Sequence, residues 1–538
     1  MSYFPIISFL AMVTLVWLYA FKKSKAVDTS SSEGFFLGGR SLTAIPIAGT
    51  IIMTNLSTEQ IVGQNGQSYY AGMEVMAWEV TAAIAIVALA VIFLPKYFKY
   101  GIDTVSDFIE IRYDTFTKRL ISVLFIITYM VSFLPVVLYS GSLVFNKIFH
   151  IDKLLGVSPI VAVILVAMII GIVGVLYLLI GGLSLSANSD SIYGVGLLIL
   201  GLLIPILGLV KLGDGNFLGG IAHIVDKTPW LLNSVGSIDS AVIPWPTLFT
   251  GMLFNNLYFW CTNQMIVQKA LSGKNLAEAQ KGVFMVGVFK IFGALFLVFP
   301  GIIARNIFGN ALLNNPDNAY PALVTEVLPE LLFGIFAAVM FGAILSSFAG
   351  ALNATATLFS LDFYKPVINK EADDKQVTRA GKLVTIIVGI ISIVIAPFIS
   401  FAPAGLYQFV QEFNGIYNMP LLVIILFAFY SKNATAFAAK ITLLIHLILY
   451  GLSKVFINDI HFLYVLSVLF ILDVIIMMLV SKWKPDGKFI LETFNTKVDI
   501  TPWKYTKVTA IIIVIAVIFT YAFFSPIGIT NIDFSFLS

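Results

Sequence analysis

Stretches of 18 or more predominantly apolar residues recur from one end of this chain to the other, and that feature constrains its fold more than any other. Each stretch is long enough to cross a hydrocarbon core of about 30 Å as a helix, which satisfies its own main-chain polar groups where no water is present. Strands of a membrane barrel would be about half as long and would alternate in polarity. Fourteen spans are read, near residues 4–21, 41–65, 75–95, 120–146, 157–181, 190–210, 247–268, 282–304, 331–361, 383–401, 405–430, 434–452, 460–481 and 508–524. The 538 residues are 59% hydrophobic and 11% charged, with a mean hydropathy of +0.96, outside the mix of an ordinary soluble domain. The expected fold is therefore an all-α polytopic membrane protein, a single transmembrane domain over residues 1–538. Its first span is followed by Lys22, Lys23 and Lys25, the reverse of a signal peptide's charge order, so it is expected to be retained.

Fourteen crossings put both termini on one side, and alternate connections can then be compared. Of the 32 Lys and Arg, 25 lie in one set of connections and six in the other, namely Lys147, Lys153, Lys211, Lys227, Arg305 and Lys454. That bias predicts a plasma (inner) membrane protein with the basic connections in the cytoplasm and both termini extracytoplasmic. A net charge of +3 gives no support for a nucleic-acid partner. The single Cys261 excludes an internal disulfide, and the four His are scattered without a nucleophile or metal-ligand spacing, so neither an enzyme nor a cofactor is expected. The segment "KYGIDTVSDFIEIRYDTFTKR" at 99–119 reads equally as a short amphipathic helix on the inner surface or as a plain loop.

Polar groups at membrane depth carry the functional signal. An ionisable side chain at the centre of a span costs roughly 2.5 to 3.5 kcal/mol, so it is kept where it is paired, wetted or used. Interior charges are Glu59, Glu79, Lys290, Glu412 and Asp473, with Asn55, Gln60, Asn255, Asn256, Asn263, Gln264, Gln411, Asn414 and Asn418 on the same few spans. Glu79 and Lys290 can cancel as a pair and can also line a cavity suited to a neutral, hydroxyl-rich solute; Glu59, Glu412 and Asp473 have no evident basic partner, and Asp473 is given no role. The stretch "TNLSTEQIVG" at 54–63 suggests a helix broken near Asn55, freeing carbonyls around Met53 to Leu56. Transporters use such breaks near the midplane, within two inverted repeats. Residues 41–210 and 247–430 form two blocks of five spans, with 434–524 as additional helices, and the interruption in the first block has its positional counterpart at Asn255 and Asn256. The adjacent hydroxyls of Ser346 and Ser347 suit a hard cation if carbonyls complete its shell.

Several ordered motifs then identify a resemblance. "GFFLGGRSL" at 34–42, "NLSTEQIVG", "GIDTVSDFIEIRYD", "YLLIGGLSLSANSDSI", "NNLYFWCTNQMIVQKALSGKNLAEAQKG", "NAYPALVTEVLP", "ILSSFAGALNATATLFSLDFYK" and "YQFVQEFNGIYNMP" at 407–420 resemble the sodium:solute symporter family, and within it the sodium/galactose and sodium/glucose cotransporters. The resemblance implies a leucine-transporter-like five-plus-five inverted repeat and sodium-coupled alternating access. It implies sodium held by the carbonyls of Met53, Leu56 and Ala343 and the hydroxyls of Ser346 and Ser347, with Asp190 on the exit route. It implies a sugar or similar polyol held by Asn55, Gln60, Glu79, Asn256, Lys290 and Gln411. Phe259 stands where the galactose carriers stack a tyrosine, so the ring is kept and its hydroxyl lost; Ala82 replaces a carrier serine. The expected function is import of sodium with a neutral sugar. Its alternatives are another solute class, such as an amino acid, nucleoside or carboxylate, or a sensor or channel that does not pump.

Overall fold

Packing against lipid inverts the usual amphipathic helix. On the helix Asp374–Ile395 the bulky Leu383, Ile387, Ile390 and Val394 repeat at helical spacing and face outward, while Val377, Gly381, Thr385, Val388, Gly389 and Ser392 are buried. With lipid as apolar as leucine, close van der Waals approach of small residues does what water exclusion does in a soluble core. The same logic holds elsewhere. A Cβ on Gly49 would lie 2.7 Å from the Ser191 Cα, and one on Gly342 only 2.2 Å from the ring of Tyr193.

The computed structural model describes residues 4–25, 27–401, 406–457, 459–490 and 498–532, and among them it is nearly all helix, with two isolated β-bridges. Nineteen helices organise it: α1 Phe4–Ser24, α2 Ala44–Asn55, α3 Thr58–Ala71, α4 Ala77–Ala88, α5 Val105–Arg112, α6 Thr115–Thr128, α7 Leu134–Phe149, α8 Pro159–Leu212, α9 Gly251–Thr262, α10 Gln264–Leu271, α11 Leu276–Gly293, α12 Phe299–Phe308, α13 Glu330–Phe359, α14 Asp374–Ile395, α15 Leu406–Asn414, α16 Asn418–Tyr430, α17 Ala436–Phe456, α18 Phe462–Trp483 and α19 Thr506–Phe523. Single π-turns, Leu89–Phe93, Tyr129–Phe133 and Ala294–Val298, carry α4, α6 and α11 onward. Ten helical runs among the described residues are long and apolar enough to cross a membrane, or eleven with the bent pair at 407–430 counted as one. The expected start of that span, residue 405, lies outside the described residues.

Three of the expected spans are broken. The first break is at Leu56 and Ser57, both non-helical, between α2 and α3, beside the Asn55 that the sequence singled out. The second is at Asn263 between α9 and α10, and this corrects the counterpart expected at Asn255 and Asn256, which lie inside continuous helix. Asn263 can hold a break because its carboxamide oxygen accepts from the Met265 N–H at 3.0 Å and from the Tyr129 hydroxyl at 2.7 Å. The third, between α15 and α16, bends the chain by 49° and was not anticipated.

The segment 99–119 resolves in favour of helix. Thr104 and Asp107 form a capping box at the start of α5, and Lys118 reaches Asp107 at 2.8 Å, Glu110 at 2.7 Å and Asp362 at 3.2 Å. At the centre α11 packs against both α2 and α4, α4 against α9 and α2 against α13, and the long α8 lies across α2 and α13.

α8 turns sharply at Gly182, with φ +54° and ψ −152°, where a Cβ would lie 2.7 Å from the Phe35 carbonyl oxygen. Gly182→Ala is expected to cost on the order of 2–3 kcal/mol, read as a lower melting midpoint of the detergent-purified protein. Gly156→Ala, at φ +65° with open space around it, should cost only about 1 kcal/mol, which separates the clash from the dihedral.

Candidate functional site

All seven residues expected to hold a solute line one cavity. Asn55, Gln60, Glu79, Asn256, Phe259, Lys290 and Gln411 surround it with Thr54, Glu59, Trp78, Asn255, Trp260, Tyr407 and Asn414. They arrive from the broken end of α2, the start of α3, and from α4, α9, α11 and α15. The space measures about 40 Å³, enough for a few waters, so a sugar-sized guest requires these walls to draw apart.

At its edge sits the Glu79 and Lys290 ion pair, each side chain 1% exposed. The Lys290 ammonium donates to one carboxylate oxygen of Glu79 and to the Asn55 carboxamide oxygen, and it lies 5.2 Å from the centre of the Trp260 ring. The other Glu79 oxygen accepts from Gln60 and, at 2.8 Å, from Gln64. Glu79 is thus nearly saturated, and the pair is neutral. Other polar atoms at the cavity are buried with no hydrogen-bond partner among the described residues: the Gln60 carboxamide oxygen, one carboxylate oxygen of Glu59, the Asn256 amide nitrogen and the Trp78 indole N–H. Buried groups of this kind are normally paired, so two acceptors and two donor groups are left for a guest.

Two interior acids do have partners, against the sequence reading. Glu412 is paired with Lys454 at 2.5 Å and accepts from Gln408 at 2.8 Å. Asp473 meets the Nδ1 of His446 at 2.8 Å, and the Nε2 of the same ring meets the Gly415 carbonyl oxygen at 3.0 Å. A carbonyl only accepts, so Nε2 carries a proton. These contacts secure the α15–α16 break from the side of α17 and α18.

Beneath the cavity, α13 meets the broken end of α2. The Ser347 hydroxyl lies 3.1 Å from the Met53 carbonyl oxygen and 2.8 Å from that of Thr54. These are last-turn carbonyls that the break deprives of helical partners. The Ser346 hydroxyl donates to Asp190 at 2.8 Å and lies 3.1 Å from the Thr54 hydroxyl. Leu56 forms the break itself, and Ala343 is buried one turn before the two serines. Asp190 is deeply buried, not at a water-facing end, and accepts also from Thr50 at 2.8 Å and Ser186 at 3.1 Å.

One buried cation was missed. Lys269 on α10 donates to the Thr50 carbonyl at 3.2 Å, the Thr50 hydroxyl at 3.0 Å and the Thr54 hydroxyl. It stands one residue past the expected end of the 247–268 span and so reads as an ordinary lysine at a membrane edge.

Comparison with known proteins gives the chain a family and its fold solved neighbours. The sodium:solute symporter family model matches residues 35–445. The uncharacterized symporter YidK of Escherichia coli is 42% identical over 529 residues, 98% of this chain and 92% of that protein. The sodium/glucose cotransporter of Vibrio parahaemolyticus is 29% identical, covering 80% of this chain and 81% of its own length, and sodium/glucose cotransporter 1 of Ovis aries is 26% identical, covering 88% and 77%. Among solved structures, a Na+-coupled sialic acid symporter in a substrate-bound outward-open state superposes with a TM-score of 0.76 at 18% identity, over 91% of this chain and 100% of that one. The nucleobase-cation-symport transporter Mhp1 in a closed conformation gives 0.55 at 13%, over 90% and 99%. The fold is that of membrane symporters, and the chain belongs to the sodium:solute symporter family, carriers that move a small solute with sodium.

Proposed function

We propose that this protein imports a neutral, hydroxyl-rich solute, a sugar or similar polyol, coupled to sodium by alternating access. The observation that carries the solute class is the cavity's mixture of unpaired donors and acceptors beside a neutral ion pair. A hydroxyl both donates and accepts, and so answers each of those groups. A carboxylate guest would leave the Gln60 acceptor unanswered and find no uncompensated cation. The ring of Phe259 supplies an apolar face for a pyranose, and curated relatives carry the names sodium/glucose and sodium/myo-inositol cotransporter.

Sodium binds, on this reading, between the carbonyls of Met53, Leu56 and Ala343 and the hydroxyls of Ser346 and Ser347, and leaves past Asp190. By bridging α2 to α13 it favours the outward-open arrangement in which Asn55 and Gln60 meet the solute. One inward charge gains about 2.3 kcal/mol per 100 mV, enough for roughly a 50-fold solute gradient before the sodium gradient is added.

The reading includes fourteen crossings: the halves at each break count as one span, and α8 divides at Gly182. Residues 41–210 and 247–430 are then two inverted repeats, each opening with a broken helix. Both termini lie outside the inner membrane.

Proteoliposomes should accumulate radiolabelled sugar in sodium buffer and lose accumulation in choline buffer; unchanged uptake in choline overturns the coupling. Competition by a panel of neutral sugars and polyols should exceed that by carboxylates, and the reverse order overturns the solute class. Ser346→Ala with Ser347→Ala should raise the sodium half-saturation of uptake by about tenfold or more, equivalent to about 1.4 kcal/mol, with the melting midpoint moved far less. Glu79→Gln should destabilise by about 3–5 kcal/mol by stranding the Lys290 charge, and Glu79→Gln with Lys290→Met by much less, measured by thermal unfolding in detergent.

A further inference from the structure

We propose that Lys269 is a fixed cation of the ion site: its ammonium balances Asp190, lowers the affinity for sodium beside Ser346, and so promotes release of the ion to the inside. This inference rests on the sodium site proposed above. Nothing in the solute cavity uses Lys269, yet it is among the largest fully buried side chains of the protein. A lysine in such a place is retained only with compensation.

The compensation is indirect. Among the described residues no carboxylate lies within salt-bridge distance of the Lys269 ammonium. Its charge reaches Asp190 through shared hydroxyls: Thr50 accepts from Lys269 and donates to Asp190, while Thr54 accepts from Lys269 and touches Ser346, which also donates to Asp190. Ser346 is therefore one hydroxyl from the ammonium and in direct contact with the carboxylate. Space for the ammonium is made by Gly350, one turn along α13 from Ser346, where a Cβ would lie 3.1 Å from the Lys269 nitrogen.

A cation arriving at Ser346 thus meets an attractive carboxylate and a repulsive ammonium at once. Taking the ammonium away leaves the carboxylate unopposed. At separations of about 6 Å in a medium between protein and water, partly cancelled by Asp190, a change of about tenfold in sodium half-saturation is expected. Lys269 also joins α10 to the lower half of the first broken helix. Both inner half-helices therefore sense whether the ion is present.

The charge role makes opposite predictions for the two partners, whereas a purely structural contact predicts weaker binding for both. Equilibrium binding of 22Na+ to the full chain in detergent reads the difference. Lys269→Gln, whose amide still donates to Thr50, should lower sodium half-saturation about tenfold; Asp190→Asn should raise it by a similar factor; Lys269→Arg should stay near wild type. Should Lys269→Gln fail to fold, the same step is read by adding it to Asp190→Asn, where no charge is stranded, and half-saturation should again fall about tenfold. Shifts of the two single variants in the same direction, or no shift on removing the ammonium in either background, overturn the proposal. Half-saturation unmoved by Ser346→Ala with Ser347→Ala overturns the sodium site itself. A rise of about tenfold or more there, with Lys269→Gln unmoved, removes only the role of Lys269.

Discussion

A bilayer offers no water to a main chain that stops hydrogen-bonding to itself, and the rest of this structure follows from how each interruption is repaired. The last carbonyls of α2 face Ser347, and the first N–H groups of α10 face the side chain of Asn263. The bend after α15 is met by His446 and by the Tyr450 hydroxyl, which donates to the Glu412 carbonyl at 2.6 Å. Each repair is made by a side chain on a different helix or at the break itself. Local sequence thus chooses where a helix may stop, and tertiary packing makes the stop tolerable.

Charge obeys the same rule, each of these buried cations meeting opposite charge from another segment. Glu79 and Lys290 pair directly, Lys118 is shared among three carboxylates, and Asp190 and Lys269 are joined through threonine and serine hydroxyls. The direct pair fixes the positions of Asn55 and Gln60 at the cavity wall. The hydroxyl-mediated pair keeps its two charges apart, with Thr50, Thr54 and Ser346 between them.

Much of this was legible in the chain because lipid demands length and apolarity, and both are written in plain runs. The first break was legible because Asn55, Ser57, Thr58 and Glu59 interrupt such a run. The second was misplaced because asparagines 255, 256 and 263 look alike in sequence; of the three, Asn263 is the one whose carboxamide oxygen accepts from the N–H two residues on and from the Tyr129 hydroxyl. The third was invisible, since its bonds come from α17, more than thirty residues away. Pairing of Glu412 with Lys454, and of Asp473 with His446, was hidden for the same reason: a contact between separate helices leaves no periodic trace. Lys269 was hidden by a boundary error of one residue.

The ring of His446 spans from Asp473 on α18 to the Gly415 carbonyl at the bend, with both nitrogens occupied. The helices that follow α16 are thereby more than padding between protein and lipid. They form an abutment for the segment that carries Gln411 and Asn414 to the cavity. The wall that Gln411 and Asn414 give the cavity thus rests on α17 and α18, which supply none of the residues named at its lining.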